Sequence, residues 1–266
     1  MKTLIRKKVN FICNKNVIAK TFTLSVVIFF FIVVLSWADQ DIKAKVTSQK
    51  NWNFDFRKKD TLPKKFLIGT LVDGRSAGKW QVIDMKKSLH LLGKLDRRDH
   101  LRVSKVLQSN AAPSIPYVFA QLKNRGYFTD FNVVLVGGTM TKDFDLKVLF
   151  LPIAGKADMG GGLIWRALDH ENYYLARANP LEQNIRIYRV VDGVRHKLKN
   201  FNQIISVKTW SALKVIARGN RFQVFFNERL VLDIIDEKFQ SDGKIGLWTK
   251  ADAVTFFDNL QLSIVE

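Results

Sequence analysis

Cysteine is almost absent from this chain. The only one, Cys13, precedes a long apolar run, so residues 39–266 carry no thiol. That part can hold no disulfide, no thiolate metal site and no cysteine nucleophile, and its fold rests on core burial alone. Histidine is scarce too, and His90, His100, His170 and His196 show no ligand-like spacing. There is no P-loop, no dinucleotide-binding glycine fingerprint, no HExxH and no GxSxG. Gly160-Gly161-Gly162 lacks the Lys and Ser/Thr that follow in a phosphate cradle, which leaves a turn or a bulge. No close acidic pair stands on a strand, as ordinary glycosidases require. Asp143, Asp145, Asp169, Glu171, Glu182 and Asp258 are scattered, and turn chemistry accounts for acids in such places. No loop is dense enough in acids to suggest a Ca²⁺ site. The residues therefore name neither a metal nor a cofactor, and no fixed-period repeat or low-complexity segment is present.

Acids are also few against bases. There are 24 Asp and Glu and 43 Lys and Arg, for a formal charge of +19. Lys2, Arg6, Lys7, Lys8, Lys15 and Lys20 supply six of these, residues 21–38 supply none, and +13 remains for 39–266. Such an excess favours acidic surfaces, including an anionic envelope polymer. The positives are spread along the chain without a Lys/Arg block, which argues against nucleic acid. Residues 21–38, TFTLSVVIFFFIVVLSWA, form an uncharged apolar run after the basic start. Ser36 and Ala38 offer small residues at the −3 and −1 positions of a signal cleavage site. The run also just reaches the length of a spanning helix, so residues 1–38 read as a signal peptide or an N-terminal anchor. Either places the rest outside the cytoplasm, periplasmic or secreted, with membrane contact only through 21–38 if the run stays uncut.

What the chain does have is a sequence of short strands. Its 266 residues, 47% hydrophobic, suffice for a sizeable core. From Phe66 onward, runs such as KWQVIDM, FNVVLVGG, FDLKVLFLPI, NIRIYRVV and RFQVFFN alternate with Gly, Asn and Asp clusters. This pattern predicts an all-β, two-sheet antiparallel jelly-roll sandwich over 66–266. Residues 39–65 read as a polar leader, with Trp52, Phe54 and Phe56 at alternate positions as either a short first strand or an anchored linker. The stretch 86–110 is the exception, and holds either a helix or a long excursion.

One hairpin set can be worked out side chain by side chain. A turn at 169–172 sets Ile164 against Arg177, and a loop at 179–184 sets Arg177 against Arg186 and Leu175 against Tyr188. Alternation then sorts the strands onto two faces. Leu163, Trp165, Ala167, Tyr174, Ala176, Ala178, Ile185 and Ile187 make a core face. Arg166, Tyr173, Arg177, Arg186 and Tyr188 gather on the other, with Ile164, Leu168 and Leu175 between them. Aromatic rings stack on sugar faces and guanidinium forks bind oxygens in pairs, so these five are candidate saccharide contacts. A solvent-facing sheet that packs Arg on Tyr has the same composition. His170, with Asp169 beside it, borders this face as a candidate base.

The C-terminal half resembles the 3-keto-disaccharide hydrolase domain family. The likeness lies in GGGLIWRALDHENYYLARA, in WSALKVIARGNRFQVFFN and in GKIGLWTKADAVTFFDNLQL at 243–262. It is close over 160–262, loose between Trp80 and Phe150, and absent from 39–65. The resemblance implies a concanavalin A-like, laminin-G-like sandwich, exported, that binds or acts on carbohydrate. It also implies cleavage of glycosides oxidised at C3, where one general base starts an elimination and no carboxylate dyad is needed. The alternative is a non-catalytic envelope, glycan-binding or adhesion module. Within 243–262, Leu247, Phe257 and Leu260 are expected in the core, with Gly243–Gly246 as an entry turn. Lys250-Ala251-Asp252 is a hairpin loop in which Asp252 bonds its own backbone, or else Trp248, Lys250 and Asp252 form the rim of the saccharide surface.

Overall fold

The computed structural model describes residues 45–55, 61–70, 78–85, 113–114, 117–122, 130–207 and 209–266. The apolar run, Cys13, Phe56 and the 86–110 stretch lie outside these residues. Among them the secondary structure is all strand. In chain order these are β1 (Val46–Trp52), β2 (Phe66–Gly69), β3 (Trp80–Asp84), β4 (Tyr117–Gln121), β5 (Phe131–Thr141), β6 (Phe144–Ala154), β7 (Gly161–Ala167) and β8 (Tyr173–Asn179). They continue with β9 (Asn184–Val191), β10 (Val194–Asn202), β11 (Ser211–Arg218), β12 (Arg221–Phe226), β13 (Arg229–Ile235), β14 (Gly243–Lys250) and β15 (Val254–Val265).

They form two antiparallel sheets, the jelly-roll sandwich expected. One runs β13-β12-β11-β6-β15-β4-β3, with β1 paired to β15 as well, and the other runs β10-β9-β8-β7-β14-β5-β2. Period-2 alternation builds the core between them. Phe144, Leu146, Val148 and Phe150 of β6 point inward beside Leu213, Val215 and Ala217 of β11, and Trp165, Tyr174, Ala176 and Ile187 face them from the other sheet. Leu247, Phe257 and Leu260 lie in this core as well.

Two boundaries differ from expectation. The sandwich begins near Lys45 rather than at 66. β1 pairs with the C-terminal half of β15, and Phe54 is buried in the core against Phe66 and Phe119. The polar composition of this segment reflects a strand with one neighbour and one wet face. Gly243–Gly246 is not an entry turn but the first half of β14.

The pairing of β8 with β9 has the register read from the sequence, Arg177 opposite Arg186 and Leu175 opposite Tyr188. The β7–β8 register is two residues away, with Ile164 opposite Leu175, which preserves the faces. Arg166 breaks the alternation. It adopts φ 47°, and the β7–β14 register slips between Lys244 and Gly246. Two residues there oppose one, a β-bulge. Arg166 is turned into the end of the sandwich and Ala167 onto the outer face. Gly243 lies against the bulge, where any Cβ would run into the Arg166 backbone. Arg166 is therefore not a member of the Arg/Tyr face.

Candidate functional site

The outer face of the seven-stranded sheet holds the remaining arginines and tyrosines. Arg177 is 1% exposed at the end of β8. Its Nη1 donates to Asn184 Oδ1 at 3.0 Å, and its Nη2 donates to Glu182 Oε2 at 2.9 Å and to the Tyr188 hydroxyl at 3.2 Å. Gly162, opposite on β7, leaves the room for it. A Cβ there would press on Arg177 Cβ at 3.1 Å and on the Ala176 carbonyl at 2.7 Å.

Glu182 sits in the β8–β9 loop and ties two strands together. Its Oε2 also meets Arg186 Nη1 at 2.6 Å. Asn179 shapes that loop, its Oδ1 accepting from the backbone N–H of Leu181 and Glu182 at 2.8 and 3.1 Å. Burial works to raise the Glu182 pKa. The charge and hydrogen bond of Arg177, the Asn184 amide and the charge of Arg186 outweigh it, and the carboxyl stays below its usual range.

A second carboxylate stands beside it. Asp158 is buried, accepts from Asn179 Nδ2 at 2.9 Å and lies 3.7 Å from Lys250 Nζ. Its pKa is raised to about 6, by burial first, against the lowering effect of Arg177, Lys250 and Arg195. Asp252 holds this loop in place. Its carboxylate accepts from the backbone N–H of Lys156, Ala157 and Asp158 at 2.7, 2.9 and 3.0 Å. Asp252 thus bonds a distant loop rather than its own turn, and Lys250 and Asp252 reach the Arg177 cluster through Asp158.

Behind the carboxylates lies an aromatic floor. The Arg195 guanidinium of β10 stands 4.3 Å from the Tyr188 ring centroid, 5.2 Å from Phe131 and 5.8 Å from Trp248. Tyr173 and Trp248 are closed off from solvent, so neither offers a stacking face at the surface. The Tyr173 pKa is pushed up, by burial first, with the Trp248 indole and the Arg195 charge opposing. Yet neither the Tyr173 hydroxyl nor Trp248 Nε1 makes a hydrogen bond of ordinary geometry. The same holds for Arg177 Nε and Arg195 Nη1. A buried donor left in this state costs about 1–3 kcal/mol.

Asp169 and His170 do not join this cluster. They occupy the turn before β8, and Arg177 lies a further ~13 Å along that strand. The Asp169 carboxylate accepts from Glu171 N at 2.7 Å and from Asn172 Nδ2 at 3.2 Å, which is turn chemistry. His170 lies over Gly69, with its Nε2 3.3 Å from the Leu67 carbonyl oxygen. Sequence reasoning passed over Asp158 and Arg195 and left Glu182 among the scattered acids. Glu182 and Arg186 carried a local signal, four residues apart around the tight β8–β9 loop. Asp158 carried none, because a loop from the far end of β14 places it.

No protein-family model matches the chain. Over 109 residues it is 30% identical to a levanase of Bacillus subtilis (strain 168), an alignment covering 40% of this chain and 16% of the levanase. The chain therefore spans only a small part of that relative's length. Among solved structures it is similar to the carbohydrate-binding module CBM66 from Bacillus subtilis. That match has 25% identity and a TM-score of 0.49, and covers 58% of this chain and 93% of the module. It is also similar to the galectin LEC-6 of Caenorhabditis elegans, at 12% identity and a TM-score of 0.39, over 50% of this chain and 89% of that one. The fold itself is read from the strand order of the two sheets.

Proposed function

We propose that this is an exported saccharide-binding sandwich, and that the sugar is held where β8, β9 and the 155–158 loop meet. The observation that carries this reading is the fixed array of Arg177, Glu182 and Arg186, joined at 2.9 and 2.6 Å on one sheet face. Paired guanidinium and carboxylate groups, locked by one another, match the vicinal hydroxyls of a sugar at little further cost in side-chain order. The 30% identity to part of a levanase supports the same ligand class. The test is calorimetric titration of the full-length protein with an oligosaccharide panel that includes levan fragments. Glu182→Gln should weaken the saccharide that binds by about tenfold, or ~1.4 kcal/mol. Unchanged affinity would reject this face.

One observation favours a catalytic reading beside it. Two neighbouring carboxyl groups have pKa values pushed in opposite directions, and Asp158, at about 6, suits a general base near neutral pH. If the protein cleaves 3-keto-glycosides, Asp158 takes the role first given to His170 or Asp169. Turnover of 3-keto-glucosides that disappears in Asp158→Asn would establish this. Saccharide binding without turnover would leave a binding module.

A further inference from the structure

The charges and the buried, unpaired guanidinium donors on this face specify more than a sugar. Four cations, Arg177, Arg186, Arg195 and Lys250, stand against three carboxyl groups, Asp158, Glu182 and Asp252. The buried groups without a partner among the described residues include Arg177 Nε and Arg195 Nη1. These two border one region. The Tyr188 ring lies 5.8 Å from Arg177 and 4.3 Å from Arg195, and Arg195 in turn stands 5.8 Å from Trp248. Trp248 and Arg195 both act on the ionisation of Tyr173. Arg177 Nε and Arg195 Nη1 are both N–H donors, and most of the neighbouring carboxylate oxygens are already engaged. Glu182 is bound by Arg177, Arg186 and Asn184, and Asp158 by Asn179. Arg186 and Arg195 are half-buried and connect the region to solvent.

A neutral sugar brings hydroxyls that both donate and accept, and it leaves the positive excess unbalanced. A carboxylate only accepts, takes two guanidinium N–H bonds at once, and cancels charge. We propose that the ligand of this face is an acidic saccharide, whose uronate-type carboxylate is received by Arg195 and Arg177. This rests on the saccharide reading above and adds the class of sugar.

The pH dependence follows from the groups around Asp158. These are Arg177 of β8, Arg195 of β10, Lys250 of β14, Glu182 of the β8–β9 loop and Asp252, which holds its backbone. Asp158 is an anion above about pH 6 and opposes a ligand carboxylate there. Below that it is neutral and the opposition is gone. A sugar carboxylate remains ionised throughout, so acidic ligands bind more tightly as pH falls from 8 to 5, and neutral ones do not share this trend.

The experiment titrates the full-length protein with oligogalacturonides, oligoglucuronides and alginate oligomers. Each is paired with its carboxyl-reduced neutral counterpart, and levan fragments are included, at pH 8 and pH 5. The expected result is an acidic oligosaccharide at least tenfold tighter than its reduced partner, with the gap widening at pH 5. Arg195→Gln should erase that preference, read as the ratio of the acidic to the reduced affinity. Equal affinity for an acidic sugar and its reduced partner, or a preference for neutral glycans, would overturn the carboxylate while leaving saccharide binding intact. Absence of binding to every glycan in the panel would overturn both.

Discussion

Arg166 and Arg177 stand eleven residues apart and are equally buried, at 1% exposure. They use their donors in opposite ways. Arg166 gives its guanidinium to backbone carbonyls, those of Lys142 at 3.1 Å, Phe239 at 2.9 Å and Gly219, with the Asp143 carboxylate 3.6 Å away. These carbonyls belong to three different turns, so Arg166 staples one end of the sandwich together. Burial pushes its pKa down, and Asp143 opposes this. Arg177 gives its donors to side chains, keeps one of them unpaired, and sits among other charges on a sheet face. A buried arginine bound to main chain holds the fold. One bound to carboxylates and amides, with a donor unpaired, belongs to the site proposed above.

This contrast predicts separable phenotypes. The largest effect is expected for Arg166→Ala, which strands three carbonyls at once and should cost about 3–4 kcal/mol in urea unfolding. Saccharide affinity of the protein that stays folded should not change. A variant of normal stability would show that the turns do not depend on the staple.

Next comes Asp158→Asn. The folded-state pKa of Asp158 lies above its ordinary value, so the stability it confers is full at low pH and is lost as pH rises through about 6. Removing the charge should therefore stabilise the protein at pH 7 by about 2 kcal/mol and flatten its stability profile between pH 4 and 6. Asp258, also raised to about 6 by burial and held by Ser114, retains its own share of that slope. An unchanged profile in Asp158→Asn would show that this carboxyl is not held away from water. A gain in stability at a functional face is the pattern expected where a site is built at the expense of the fold.

A smaller loss, about 1 kcal/mol, is expected from Asp252→Ala, since it removes the cap of three backbone N–H groups at 156–158. Because that cap aims Asp158, saccharide affinity should fall a few-fold in the same variant. If stability falls and affinity does not, the 155–158 loop is outside the site.

Much of the fold was legible in the sequence, because alternation has a period of two and the core strands obey it. The β8–β9 register followed from the short loop alone, and the inward set from Leu163 to Ile187 stands as expected apart from Ala167. Arg166 and Ala167 exchanged faces because a bulge shifts parity by one. A non-glycine residue at φ 47° announces itself only through Gly243, some 77 positions away. The site was legible in part. Arg177, Arg186 and Tyr188 share a face by local rules, whereas Asp158, Lys250 and Arg195 arrive from loops and strands that only the sheet topology brings together. The closing GKIGLWTKADAVTFFDNLQL supplies core and support at once. Leu247 and Phe257 fill the interior, and Lys250 and Asp252 set the position of Asp158.

The central claim is that the Arg177 side of the sheet binds saccharide while the Arg166 end only holds the sandwich. The most direct measurement is Arg186→Ala, because this side chain is half-buried at the rim and its loss leaves the core intact. Calorimetry and thermal melting would be run on the same sample. The account predicts a loss of about tenfold or more in saccharide affinity, ~1.4 kcal/mol, with a melting temperature within about 3 °C of the parent. Parental affinity in that variant would contradict it.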